Sequence, residues 1–383
     1  MPWGTYFAVL SSVLSVGLAL GMSMPLVSLR LEAWGYGNFA IGIMSAMPAV
    51  GVLLGARVSS RLAARFGTSR AMQICLWAGA VSIGLLALWP SYALWVMLRL
   101  VIGSVLTIVF VLGESWINQL VVEQWRGRLV ALYGCCYALS QLAGPLLLGG
   151  IGTEQDHGFW LATGLLLVSP LLLLGRGGAP ITEAVTVTLA DLWVFCRRLP
   201  VIAYAIALFA GFEALILSLL PVYCLQQGYD PRIALYMVSA VVLGDAVLQL
   251  PIGALADRLP RRGLFLGCAG LLAISSVSIP VAIHHPIIWL LWVLFGASAG
   301  GLFTLSLVFI GERYRHDELV RANAHVAQLW GVGCLIGPLI AGAGNQWLTG
   351  HALPLMMAAG AAGLVLIASR QPALATVGEA RDS

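Results

Sequence analysis

The second half of the chain repeats the first at a nearly fixed spacing. Ser60-Arg61-Leu62-Ala63-Ala64-Arg65 precedes Gly253-Ala254-Leu255-Ala256-Asp257-Arg258 by 193 positions, and Gly144-Pro145-Leu146-Leu147-Leu148-Gly149 precedes Gly337-Pro338-Leu339-Ile340-Ala341-Gly342 by the same number. Trp34-Gly35-Tyr36 answers Gln227-Gly228-Tyr229 at 193, and Gly113-Glu114 matches Gly311-Glu312 at 198. Both copies are nearly all apolar. Two similar halves of the same orientation, both buried in lipid, predict a transporter whose substrate sits between the halves.

A soluble domain is excluded by composition. Hydrophobic residues make up 60% and charged residues 9% of the 383 positions, against about 45–50% and 25% in soluble domains. The apolar residues fall into twelve runs long enough to cross a bilayer, at 5–29, 38–60, 70–89, 92–114, 129–151, 158–175, 200–222, 232–256, 263–283, 287–310, 322–343 and 351–369. Hydrocarbon offers no water to the backbone, so each run must be a helix, which satisfies its own peptide groups within one span. The expected fold is an all-α integral membrane protein: an N-terminal six-helix bundle (1–175), a cytoplasmic linker (176–199), a C-terminal six-helix bundle (200–370) and a cytoplasmic tail (371–383). Within the linker, Leu189 to Phe195 predicts a short interfacial helix with Trp193 at the headgroup level.

All 20 basic residues are arginine. Without lysine there is no phosphate-binding GxxxxGK[ST] loop and no Schiff-base chemistry, so the driving force must be an ion gradient or the substrate's own gradient. The seven cysteines have neither zinc nor disulfide spacing and are expected to be small buried residues, with Cys196 in the central loop. No basic leader segment follows Met1, so the first span is expected to be retained. No cofactor is called for beyond a coupling proton.

The arginines orient the chain. With the N-terminus in the cytoplasm, seventeen arginines lie in cytoplasmic loops and tail, and only Arg30 and Arg232 lie outside. This bias predicts cytoplasmic N- and C-termini in a bacterial inner membrane. It also accounts for the net charge of +4 without a nucleic-acid partner. The partners expected are a small-molecule substrate and the lipid bilayer, with the protein a monomer.

Four segments together resemble a known family. Gly253-Ala254-Leu255-Ala256-Asp257-Arg258-Leu259-Pro260-Arg261-Arg262 is similar to the loop G-x-x-x-D-R-x-x-R-R of the major facilitator superfamily. The matching first-half loop departs from it, with Ala64 where the Asp is expected. Arg99-Leu100-Val101-Ile102-Gly103 resembles the R-x-x-x-G motif of span four, and Gly144-Pro145 and Gly337-Pro338 resemble the Gly-Pro motif prominent in the antiporters. Gly113-Glu114-Ser115-Trp116-Ile117-Asn118, followed by Arg126-Gly127-Arg128 and Tyr133, is similar to the YcaD-like bacterial branch. The resemblance implies two bundles rocking about a central cavity lined by helices one, four, seven and ten. It also implies that the arginine of span four is linked to proton coupling.

Intramembrane ionisable groups are costly, by about 2.5–3.5 kcal/mol on insertion scales, and so mark candidate sites. Glu213 lies mid-way along span seven, where desolvation disfavours the charged form of a carboxyl and suits it to load and release a proton. Asp245 lies mid-way along span eight with Gln249 on its face at i+4, and its repeat counterpart is Val52. Arg99 cannot shed its charge and must find a carboxylate, a carbonyl or an anionic substrate; its counterpart at the 198 spacing is Ala297. Glu213, Asp245 and Arg99 are the coupling candidates. The expected substrate-binding residues are Arg99, Tyr133, Tyr137, Gln141, Tyr204, Phe212 and Trp330. Cytoplasmic gating is expected from Arg65, Asp257, Arg258, Arg261, Arg262, Glu114 and Glu312, the two glutamates as scaffold for nearby arginines. His325 reads as an interfacial polar residue. Pro25 and Pro221 sit near the outer ends of spans one and seven and predict bends at matching places.

These features favour a secondary transporter, not an enzyme, performing proton-coupled export of a small amphipathic compound. Proton-coupled uptake of a metabolite is the alternative. A membrane enzyme would need a nucleophile or metal cluster and a receptor an exposed soluble domain, and the chain shows neither.

Overall fold

A computed structural model of the chain describes residues 2–121, 125–178, 188–256 and 258–370. The apolar runs are helices throughout: α1 Trp3–Ala33, α2 Asn38–Phe66, α3 Thr68–Leu88, α4 Tyr92–Leu120, α5 Arg126–Ile151, α6 His157–Val168, α7 Leu189–Arg198, α8 Pro200–Gln226, α9 Pro231–Ala256, α10 Arg261–Ala282, α11 Ile288–Arg313, α12 His316–Trp347 and α13 Ala352–Arg370. Among the described residues, eleven of these are long and apolar enough to cross a membrane. The sixth run differs. At Pro170, which has no N–H to give to the α-helical ladder, α6 passes into a 3-10 helix at Ser169–Leu173. At 1.5 and 2.0 Å per residue the two pieces extend about 28 Å, close to the hydrocarbon thickness. The predicted twelve runs are therefore eleven full-length helices and one compound one.

The chain divides into two compact units. One comprises Met1–Tyr36, Ile43–Ala184 and Asp230–Tyr236, and the other Gly37–Gly42, Val185–Tyr229 and Met237–Ser383. Inside each, helix pairs close through glycines, as membrane interfaces do when backbones must approach. A methyl group on Gly103 of α4 would collide with the Pro48 carbonyl of α2, and one on Gly51 with the Leu100 carbonyl. In the second unit, Gly296 of α11 meets the Val241 carbonyl of α9, and Gly244 the Val293 carbonyl. All four residues of that crossing are displaced by 193 positions. Gly21 of α1 likewise packs on Gly144 of α5, and Gly211 of α8 on Gly337 of α12.

This packing register corrects three sequence expectations. Gly144 maps to Gly337 at 193 but Gly21 to Gly211 at 190, so the middle of α1 aligns with α8 three residues out of step. Pro25 and Pro221 are 196 apart, a match at neither spacing. The prolines are not equivalent, and both helices run on through them. Second, the α4–α11 register of 193 pairs Arg99 with Trp292, not Ala297. Third, it pairs Glu114 with Leu307, so Glu114 and Glu312 are not counterparts. Their shared Gly-Glu is a local coincidence that the packing overrides.

The step in α1 is absorbed before its end. Gly35 and Gly228, 193 apart, close the same turn: Gly35 N–H donates to Glu32 O and Tyr36 N–H to Leu31 O, as Gly228 does to Leu225 O and Tyr229 to Cys224 O, at 2.8–3.1 Å. Both glycines have positive φ, 81° and 88°, which an L side chain resists.

The linker helix α7 is longer than predicted, ending at Arg198. Thr188 and Asp191 form a reciprocal capping box at its start. Cys196 lies on this helix, not in a loop. Of the seven cysteines, Cys75, Cys224 and Cys268 are buried and Cys135 is exposed, so the expectation of uniform burial fails. Phe195 turns inward, its ring 5.1 Å from that of His325. Trp193 on the opposite face is 65% exposed, with the Arg197 guanidinium 6.0 Å from its ring.

Candidate functional site

In the first unit, α4 and α5 bring Phe110 and Tyr137 together at a ring-centroid distance of 5.0 Å, with Tyr133 6.3 Å from Phe110. Gln141, one turn beyond Tyr137, donates from Nε2 to its hydroxyl at 3.4 Å. Tyr133 and Tyr137 thus meet Phe110 of α4, while the Gln141 backbone packs on Gly21 of α1. Tyr133 is buried, and its hydroxyl has no hydrogen-bond partner among the described residues.

The second unit carries the counterpart. Phe303 of α11 and Trp330 of α12 lie 5.2 Å apart in an edge-on arrangement, and 110 and 137 become 303 and 330 at the 193 offset. Phe209 of α8 completes a triad, stacked on Phe303 at 4.8 Å and edge-on to Trp330 at 5.5 Å. Phe212 is buried and packs on Phe295 at 4.9 Å. Phe110, Phe303 and Trp330 are half-buried, so each pair presents an accessible ring edge or face. Tyr204 does not join this group. It is exposed on α8, and its hydroxyl donates to the Gly360 carbonyl of α13 at 3.1 Å. Phe110, Phe209 and Phe303 were missed in the sequence, although carrying the 193 offset from Tyr137 to Trp330 and testing their helix neighbours would have found two of them.

The coupling candidates occupy different settings. Glu213 is half-buried on α8, one turn beyond Phe209 and within electrostatic reach of Cys334. Asp245 accepts a 2.8 Å hydrogen bond from Gln249 Nε2, and its carboxylate fills the notch at Gly300 of α11. Arg99 is 1% exposed. Its Nη2 touches Met24 Sδ of α1, and its Nε and Nη1 have no partner among the described residues. It is sealed in the first unit.

The gating candidates separate likewise. Arg261 pairs with Glu312 across α10 and α11, and its Nε donates to the Ala256 carbonyl at 2.9 Å. Arg262 reaches the Ser369 carbonyl at 3.2 Å. Arg258 is exposed, and Arg65 lies 5.3 Å over the Phe66 ring. Glu114 is exposed, within electrostatic reach of Tyr133. Asp257 lies outside the described residues. His325 is buried, bonded to Gln328 at 3.1 Å, and packs on Phe195 of α7.

A sequence profile of the Major Facilitator Superfamily matches residues 9–242 and again 228–381. The chain belongs to the Major Facilitator Superfamily. It is a multi-pass membrane protein of a transporter class, not an enzyme. Among curated relatives, an uncharacterized MFS-type transporter YcaD of Salmonella arizonae is 27% identical over 359 residues, covering 91% of each chain. Its namesake in Escherichia fergusonii is 26% identical over 353 residues, also 91% of each. Two solved structures share the fold. The nucleoside transporter NupG superposes with a TM-score of 0.77 at 13% identity, covering 98% of this chain and 100% of that one. A D-xylose-proton symporter gives 0.73 at 19% identity, covering 95% and 96%.

Within this superfamily fold, the packing register describes a duplication of the two halves. What the duplication does not repeat is then visible residue by residue: Arg99 against Trp292, Val52 against Asp245, and Ser23 against Glu213 at the α1–α8 offset of 190.

Proposed function

We propose that this chain is a secondary active transporter of a bacterial inner membrane that exports a small amphipathic compound by alternating access, in exchange for protons. The observation that carries the reading is the aromatic pair repeated in both halves, beside ionisable groups that the duplication does not repeat, Arg99 in the first half and Glu213 and Asp245 in the second. Each half offers a flat apolar contact surface, Phe110–Tyr137 in the first and Phe303–Trp330 in the second. Transport needs such surfaces to hold a solute without trapping it. Glu213 and Asp245 stand where the first half has Ser23 and Val52. An intramembrane carboxyl that no shared scaffold requires is a functional group by default. Desolvation favours its neutral form and hydration its charged form, so exposure to one side and then the other gives one proton two affinities. The seventeen-to-two arginine bias supports cytoplasmic termini.

The test is transport in proteoliposomes under an imposed pH gradient, with solutes chosen by their ability to raise the protein's melting temperature. Wild type should move solute against its gradient, inward-acidic vesicles accumulating it. Glu213→Gln or Asp245→Asn should abolish gradient-driven accumulation while leaving solute exchange largely intact. If both variants, singly and together, still accumulate solute, neither carboxyl couples the proton.

A further inference from the structure

The second unit combines two features that no sequence motif joins. Phe209, Phe303 and Trp330 form a three-ring box, with centroids 4.8, 5.5 and 5.2 Å apart. Glu213 stands one helical turn from Phe209 on α8. Residues at i and i+4 share a helix face, so the carboxyl and the ring project from one side. The box is fixed from α12 in the same way. Cys334 lies one turn beyond Trp330, donates to the Ala210 carbonyl at 3.3 Å, and is within electrostatic reach of Glu213. The carboxyl therefore lies one turn along α8 from the ring box, within electrostatic reach of Cys334. Phe303, Trp330 and Glu213 are half-buried, so neither rings nor carboxyl are sealed in the core.

Resting on the transport reading, we propose that this box binds organic cations: lipophilic, delocalised or quaternary ammonium-type solutes whose charge sits over the Trp330 and Phe303 rings and against Glu213. An aromatic face attracts a cation through the ring quadrupole, tryptophan most strongly, and the attraction grows when water is excluded. The carboxylate adds a full charge of the right sign. A neutral amphiphile would gain from the rings alone, and an anion would be repelled.

The duplication keeps a ring pair in the first unit, Phe110 and Tyr137, but replaces Cys334 by Gln141 and Glu213 by Ser23. A carboxyl is present there too: Glu114 lies one turn beyond Phe110 on α4, within electrostatic reach of Tyr133. What distinguishes the second unit is tryptophan in place of tyrosine, the stronger ring for a cation, and the third ring of Phe209.

The experiment uses full-length protein in lipid nanodiscs and a pair of ions of nearly identical shape, tetraphenylphosphonium and tetraphenylborate. Binding is read as tryptophan-fluorescence quenching, with melting temperature as the second measure. The phosphonium should bind at least tenfold more tightly than the borate. Glu213→Gln should weaken the phosphonium at least tenfold and the borate hardly at all. Trp330→Phe should weaken the phosphonium severalfold, and Tyr137→Phe should leave the charge preference intact. Equal binding of the two ions, or unchanged phosphonium affinity in Glu213→Gln with an unaltered melting temperature, overturns the proposal. So does binding of neither ion. Protein that binds the phosphonium but moves no solute in vesicles keeps this inference and loses the transport reading. Protein that moves a neutral solute and ignores the phosphonium does the reverse.

Discussion

Gln249 donates from Nε2 to Asp245 Oδ1 at 2.8 Å, and the carboxylate so held rests where a side chain of residue 300 would be. Gly300 thereby sets the depth of Asp245 between α9 and α11. Gly300→Ala should force the carboxylate out and cost about 1–3 kcal/mol, the usual scale of overpacking. Asp245→Ala should relieve that collision, so the double variant should be more stable than the sum of the singles predicts. Thermal unfolding of the four proteins in one lipid checks this; strict additivity would show that Asp245 moves aside freely.

Arg99 makes the opposite kind of prediction. A guanidinium 1% exposed, with two nitrogens unpartnered among the described residues, is a poor structural element. Arg99→Met keeps most of the volume and removes the charge. It should raise the unfolding free energy by about 1 kcal/mol or more, within the insertion cost of a buried charge, while abolishing gradient-driven transport. A gain in stability with loss of activity is the signature of a group kept for function. A lowered melting temperature would instead make Arg99 a structural tie.

How much of this was legible before the fold was known depends on the length scale. The twelve spans follow from hydrocarbon alone, since only a helix closes its backbone there. The duplication was legible because glycines at close crossings leave the same residue at the same offset. Its local phase was not. A continuous helix hides a shift of a few residues: Pro25 and Pro221 looked matched until Gly21–Gly144 and Gly211–Gly337 fixed the register of α1 and α8, and Glu114 and Glu312 looked equivalent until Gly103–Pro48 and Gly296–Val241 fixed that of α4 and α11. Helical spacing puts Tyr133, Tyr137 and Gln141 on one face, but the ring partners of Tyr137 and Trp330 come only from the fold. Tyr204 was misplaced because spacing cannot say which neighbour a face meets, and it meets α13.

The linker helix has its own switch-like weakness. Hydrogen bonds from the Thr188 hydroxyl and backbone N–H hold the Asp191 carboxyl below the usual carboxylate range. A depressed folded value means that the cap's contribution is fully present above the ordinary carboxylate range, near pH 4, and fades only as pH falls through the lower folded value. Docking of α7 should therefore be constant from pH 5 to 8. Thr188→Ala should speed hydrogen exchange across 188–198 about fivefold at neutral pH, as loss of an N-cap does. Phe195→Ala should speed it more, by freeing the ring from His325. Exchange unchanged in both variants would mean that neither contact seats the helix.

The Arg261–Glu312 pair is set against the helices that carry it. Arg261 opens α10, where the helix dipole favours an anion, and Glu312 lies in the last turn of α11, where it favours a cation. Each charge is on the wrong end of its helix, and the pair compensates both. Arg261→Glu or Glu312→Arg alone should bring like charges together and lower stability. The exchanged double variant restores the pair and corrects both ends, worth about 0.3–1 kcal/mol apiece before solvent screening of two partly exposed side chains. It should therefore be at least as stable as wild type. If the native polarity serves stability alone, its transport should also be normal. If the native polarity serves gating of the cytoplasmic loops, the exchanged protein should be stable yet slow, with faster cysteine labelling from the cytoplasmic face. A double variant less stable than wild type would show that the Ala256 carbonyl contact of Arg261, not the ion pair, anchors this corner.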